Sequence, residues 1–203
     1  MLQLSTNEIA KNLVNRLNNY AAKSEIDYIK MVYGLEIMLH NIPKLIIIVL
    51  FSFLLETFPY TLMTLATFAI IRRYAAGLHA SNGYSCMFIS LIIFVGVPYY
   101  LVTTNFVVNM QVFIIIFSLV TLVMFKYSPA DTEARPIIGK KKRTQLKIKS
   151  VLSCVLIFIL ALALQSEVVY VMVSLGAIYA CVAVLPATYI LLNRRRKNYE
   201  QYE

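Results

Sequence analysis

The sequence predicts an all-α fold: a polytopic integral membrane helix bundle of about six membrane segments behind an amphipathic N-terminal helix. Three observations carry that expectation. The 203-residue chain is 60% hydrophobic and 14% charged, whereas a soluble domain is about a quarter charged. A soluble fold of this size has too much surface per volume to hide so much apolar side chain. Apolar runs recur at 44–58, 60–71, 87–104, 106–125, 150–164 and 168–192. Lysine and arginine, finally, fall only between alternate runs. Residues 1–44 hold five, Arg72 and Arg73 make two, 126–149 holds eight and 194–197 holds four, which accounts for all 19. The turns near Glu56, Thr103–Gln111 and Gln165–Glu167 hold none. Six crossings put every basic residue on one side, which the positive-inside rule makes cytoplasmic. Both termini and the Arg72–Cys86 stretch are then expected at the inner face of the cell membrane.

The elements follow in order. Ser5-Thr6-Asn7-Glu8 reads as a capping box. Behind it Ile9, Ala10, Leu13, Val14, Leu17, Tyr20 and Ala21 recur at helical spacing, with Lys11, Asn12, Asn15, Arg16, Asn18 and Asn19 opposite. Such a helix lies on a membrane surface or against a partner. Ser24 and Asp27 suggest a second cap, followed by a more apolar helix from Ile26 to about Asn41. Residues 1–43 thus form an interfacial N-terminal region, 44–192 the membrane domain and 193–203 a basic tail. The start lacks the apolar core and small-residue cleavage site of a signal peptide, so insertion is expected through the internal segments.

A spanning helix needs about 20 residues. The third, fourth and sixth runs reach that length, and the fifth is slightly short. Pro59 separates the first two, and the second has only about 18 Å of helix before Arg72, against a hydrocarbon core of about 30 Å. Either Arg72 and Arg73 snorkel and extend it, or the pair forms a re-entrant hairpin beside four full spans. In the basic loop 126–149, Ser128-Pro129-Ala130-Asp131 signals a turn. The run Lys140–Arg143 reads as a solvated topology signal.

Chemistry concentrates in "RRYAAGLHASNGYSC", from Arg72 to Cys86. A cysteine is a nucleophile as thiolate, and an imidazole can take its proton. His79 and Cys86 are seven apart, about 10.5 Å along a straight helix, which is too far for proton transfer. Ser81-Asn82-Gly83 is a strong turn signal that folds the chain back and lets Cys86 open the next helix. Helix N-termini favour thiolates and oxyanions. On spacing alone, an interfacial histidine and a packing cysteine outweigh a dyad, and Arg72 and Arg73 are more often anchors than substrate clamps. Glu36, His40 and Lys44, four residues apart, similarly read first as a headgroup-facing stripe and second as a polar cavity wall. Cys154 and Cys181 sit deep in apolar runs as inert packing residues, and no disulfide framework is expected. A structural zinc takes four ligands where the stretch offers two, so neither metal nor cofactor is expected. A net charge of +9 without a recognised module argues against a nucleic-acid partner and for contact with anionic lipid.

Taken together, Arg72-Arg73, Gly77 with His79 two positions later, and Cys86 seven beyond resemble the signature of the accessory gene regulator protein B family of Gram-positive bacteria. "YGLEIMLHNIPKLIIIV" before the first span and "YSPADTEARPI" in the basic loop extend the resemblance over essentially the whole chain. It implies a membrane cysteine endopeptidase that matures a quorum-sensing pro-peptide. Cys86 would be the nucleophile and His79 its general base, with Arg72 and Arg73 drawing in the substrate's acidic C-terminal tail. Gly77 and Gly83 would shape the turns. Ala75-Ala76 stand where some members carry a second histidine. The group orienting His79 stays open between Asn82, Glu36 and Asp131. The resemblance also implies a thioester on Cys86, closure of a thiolactone or lactone ring by a nucleophile within the peptide, and a homodimer. The competing readings are a peptide or solute transporter with His79 on its pathway, and a scaffold in which Cys86 only packs.

Overall fold

The computed structural model describes residues 6–18, 25–78, 83–133 and 136–201. Every regular element among them is helical. They fall into two compact units, 1–51 and 52–203.

In the first unit, α1 (Thr6–Asn18) packs on the N-terminal part of α2 (Glu25–Leu54). Ala10 and Val14 are fully buried against Val32, with Tyr28, Met31, Leu35 and Leu39 around them. The Tyr28 hydroxyl donates to Asn15 Oδ1 at 2.8 Å, and Asn7 Nδ2 donates to the Glu36 carboxylate at 3.3 Å. Only part of the α1 apolar stripe is used this way, since Leu13 and Leu17 stay exposed. The expected cap residues Ser5 and Ser24 lie outside the described residues. The helix expected to stop near Asn41 and the apolar run from Lys44 are one helix, with Pro43 inside it. Proline removes one intrahelical hydrogen bond. Among apolar neighbours, continuing the helix still satisfies more backbone groups than unwinding it.

Four helices among the described residues are long and apolar enough to cross a membrane: Asp27–Leu54, Ser85–Thr103, Met110–Tyr127 and Lys140–Leu164. The chain is an all-α membrane helix bundle. After α2, Pro59 sits in the first turn of α3 (Phe58–Ala75), where its missing N–H costs nothing. The span Ser85–Thr103 joins α4 (Gly83–Leu91) to α5 (Val97–Thr103) through a π-helical turn at Ile92–Gly96. Pro98 cannot donate to Phe94, and the widened turn absorbs that loss. Asn109 caps α6 (Met110–Tyr127), its Oδ1 accepting from Val112 N at 2.9 Å.

Two apolar runs come out differently from their lengths. The fifth, slightly short, gains its basic approach and becomes the 25-residue α7 (Lys140–Leu164). The sixth, long enough to span, breaks into α8 (Glu167–Val182) and α9 (Pro186–Leu191). Leu185 is extended, with ψ 138°, because a residue before proline avoids the helical region.

The core of the second unit gathers α3, α6, α7 and α8. Phe113 of α6, fully buried, stacks on Tyr170 of α8 at 4.5 Å and on Phe158 of α7 at 5.5 Å between ring centroids. Helices α3 and α8 run parallel, with Thr64 Oγ1 donating to Met172 O near one end and Leu78 N donating to Ala183 O at the other. Gly176 permits their approach, since a Cβ there would lie 2.4 Å from Thr64 O. Small residues at such contacts let helix backbones close on each other where lipid offers no hydrophobic drive between them.

Candidate active site

Helix α3 ends with Arg72 and Arg73 in its last turn. Ala76 and Gly77 then take positive φ, 56° and 113°, and turn the chain into a short extended strap. Ala130 N donates to Ala75 O at 2.9 Å and Gly77 N donates to Ala130 O at 2.8 Å. Leu78 N donates to Ala183 O at 3.0 Å. The strap is thus pinned to the loop after α6 on one side and to the end of α8 on the other. Gly77 is needed twice over: its φ suits glycine, and a Cβ would lie 2.6 Å from Ala183 O.

Arg72 Nη2 donates to the Leu78 carbonyl and lies 3.5 Å from that of Gly77. Its guanidinium also covers the Phe68 ring at 5.2 Å. Burial pulls Arg72 below the usual arginine range, while Tyr189 and Cys86 lie near enough to act in the opposite sense. Arg73 is exposed, over the Tyr74 ring at 5.8 Å. The two arginines therefore occupy different surroundings. One braces the strap from within, and the other faces outward.

The strap delivers the chain to Leu78, the residue before His79. His79, Ala80, Ser81 and Asn82 lie outside the described residues. Gly83 is the first residue of α4. Cys86 follows in the opening turn of that helix, 9% exposed. Of the groups left open for orienting His79, Glu36 accepts from Asn7 within the first unit. Asp131, 4% exposed, accepts from Tyr199 N at 3.0 Å through Oδ2. Asn82 lies outside the described residues. Glu36 and Lys44 share α2, while the side chain of His40 is outside the described set. No three histidine, cysteine, aspartate or glutamate side chains come together to hold a metal among the described residues. None of the three cysteines is in a disulfide.

The ends of three basic segments meet beside the strap. Tyr189 donates its hydroxyl to Asp131 O at 2.9 Å, and Arg196 donates to Tyr127 O at 3.3 Å. Arg196 lies over the rings of Tyr127 and Tyr189 at 5.3 and 5.5 Å, and Arg143 lies over Tyr199 at 3.8 Å. The charge pattern alone reads these cations as solvated topology signals. The neighbouring tyrosines were the available sign that some are held on aromatic faces.

Fold and site together define a class: a polytopic helical membrane protein with a buried cysteine opening one span near an arginine-braced strap. The chain belongs to the accessory gene regulator B family, whose model matches residues 6–185. It is 36% identical over 199 residues to a protein of Clostridium acetobutylicum named as AgrB-like, covering 97% of this chain and 93% of that one. An AgrB-like protein of Listeria welshimeri is 35% identical, over 88% of this chain and 87% of its own. Accessory gene regulator protein B of Staphylococcus aureus strain Newman is 30% identical, over 88% of this chain and 95% of its own. No solved structure matches the chain.

Proposed function

We propose that the protein processes a quorum-sensing pro-peptide as a membrane cysteine endopeptidase, cutting at its C-terminal side and supporting cyclisation of the product. The observation that carries this reading is the placement of Cys86 at the start of a span, with the strap leading directly to His79. His79 takes the Cys86 proton, and the thiolate attacks the scissile carbonyl. The amide C–N bond breaks, the acidic tail leaves as an amine protonated by His79, and a thioester remains on Cys86. A thiol or hydroxyl within the same peptide then attacks that thioester. The acyl carbon–sulfur bond breaks as the thiolactone or lactone forms, and Cys86 leaves as a thiolate that takes up, through His79, the proton lost by the attacking group. Thiol exchange is nearly isoenergetic, and the intramolecular attack has a high effective concentration. A site sheltered from water suppresses hydrolysis of the thioester.

In this reading the catalytic stretch and both termini face the cytoplasm, where the amphipathic pro-peptide lies on the inner leaflet. A homodimer and the division at residues 43 and 192 belong to the same proposal. A protein keeping Cys86 as its sole thiol, Cys154→Ala/Cys181→Ala, tests it. Reconstituted with pro-peptide, it should cleave and lose cleavage once maleimide has alkylated Cys86. Continued cleavage by fully alkylated protein would remove the thiol from the mechanism.

The arginine pair gives a second prediction. Arg72→Gln removes the brace on Leu78, so cleavage should fall about tenfold or more at any salt concentration, in line with loss of a charge-assisted hydrogen bond. Arg73→Gln removes an exposed charge that attracts an acidic tail, so its defect should be small and should vanish at high salt as screening removes the attraction. Rates measured across ionic strength separate the two. Matching salt profiles for both variants would assign them one role.

A further inference from the structure

A cavity of about 230 Å³ opens where α6 ends, α7 begins and the C-terminal tail returns. Lys126, Arg143, Lys147, Arg196 and Lys197 line it, with Asp131 as the one carboxylate among its lining residues. Asp131 Oδ2 is already engaged by the Tyr199 amide, and Lys197 pairs with Glu200 at 3.3 Å. The lining thus carries five cations and one carboxylate, with Arg143 donating to Ile137 O at 3.1 Å and Arg196 to Tyr127 O at 3.3 Å. Ser128 also lines the cavity, is 6% exposed, and its Oγ has no hydrogen-bond partner among the described residues. A buried hydroxyl left unpaired is costly, and an oxyanion in the cavity would give it an acceptor.

The geometry points to a binding site for the phosphodiester of an anionic phospholipid. Both α6 and α7 are spanning helices, and the cavity sits at their shared end. Lys147 lines the cavity and also reaches over the Phe125 ring at 4.7 Å. Phe125 is 62% exposed, and Leu122, Ile148 and Leu152, also toward the interior of the spans, are similarly bare. Cations for a headgroup and apolar surface for acyl chains are therefore contiguous, an arrangement that a soluble phosphate would leave half used. Basic pockets between spanning helices suit anionic headgroups in this way. The site lies outside the peptidase reading, and peptide cleavage is not its readout.

Native mass spectrometry of the full-length protein, released from detergent micelles containing phosphatidylglycerol, tests the assignment. The wild type should retain one phosphatidylglycerol. Lys126→Gln/Lys147→Gln should weaken retention about tenfold, since each cation near an anionic surface contributes measurably, and Ser128→Ala should weaken it about threefold. Circular dichroism checks that the variants fold. Should the double variant misfold, Ser128→Ala, which removes only a hydroxyl, decides the matter. Equal retention by wild type and Ser128→Ala, or none by the wild type, would overturn the site. Displacement by millimolar glycerol 3-phosphate would overturn the lipid assignment in favour of a soluble phosphate ester. Displacement by a synthetic acidic peptide would overturn it in favour of a peptide carboxylate.

Discussion

Cys86→Ala should abolish pro-peptide cleavage, lowering the rate by at least about a thousandfold, while the protein still inserts at the wild-type level. The expected size follows from the chemistry proposed for the thiol. Without sulfur no thioester forms, and neither release of the tail nor closure of the ring has an intermediate to pass through. Little structural damage should accompany the loss. Cys86 is a small buried side chain at the start of α4, and alanine keeps the helix and removes one heavy atom. His79→Ala should be comparably inactive, because in the proposed dyad nucleophile and base act as a unit and their losses do not add. Cleavage by membranes carrying each variant with a tagged pro-peptide, read by gel mobility, checks both. A transporter would tolerate Cys86→Ser, and a scaffold would tolerate His79→Ala as well. Near-normal cleavage by either alanine variant would end the peptidase account.

Gly77→Ala should be the most damaging change outside the dyad, costing about a hundredfold in cleavage. The side chain of residue 77 has no part in the chemistry. The effect comes from where the strap must run. A positive φ of 113° costs a residue with a Cβ about 1–3 kcal/mol, and that Cβ would meet Ala183 O at 2.6 Å. Relieving the clash moves the strap away from α8 and stretches the Leu78 N to Ala183 O bond. Residue 79 then shifts with Leu78, and displacements near 1 Å can cost about a hundredfold when reacting groups must meet. Cleavage should fall while maleimide still labels Cys86, because α4 is untouched. Wild-type cleavage by Gly77→Ala would show that the strap does not position the histidine.

The two effects bear on different parts of the sequence. Cys86 and His79 stand out in it as candidates because their side chains have chemistry that few residue types share. Gly77 is legible as a turn residue, but its second constraint is not, since Ala183 contributes a backbone carbonyl and any residue there has one. The same holds for Ala130, which accepts from Gly77 and donates to Ala75. Arg72 and Arg73 look alike in sequence, and only packing puts one on the carbonyl of Leu78 and leaves the other outside. The run from Val168 to Leu192 counts as a span by apolarity alone. The backbone restriction before Pro186 splits it between the 16-residue α8 and the six-residue α9.

The sequence by itself determined the solvent, the helical class and the residues able to do covalent chemistry. Those depend on summed transfer free energy and on side-chain identity, which are properties of the residues one by one. Tertiary structure alone decided that 76–78 is strapped between Ala130 and Ala183, that Arg72 braces it, and that basic side chains distant in sequence line one cavity. The strap and the cavity depend on backbone hydrogen bonds and close approaches between segments 50 to 110 positions apart, where almost any side chain is compatible with the bond and only the packed helices bring the partners together. The Arg72 brace spans six residues and depends on the turn at Ala76 and Gly77.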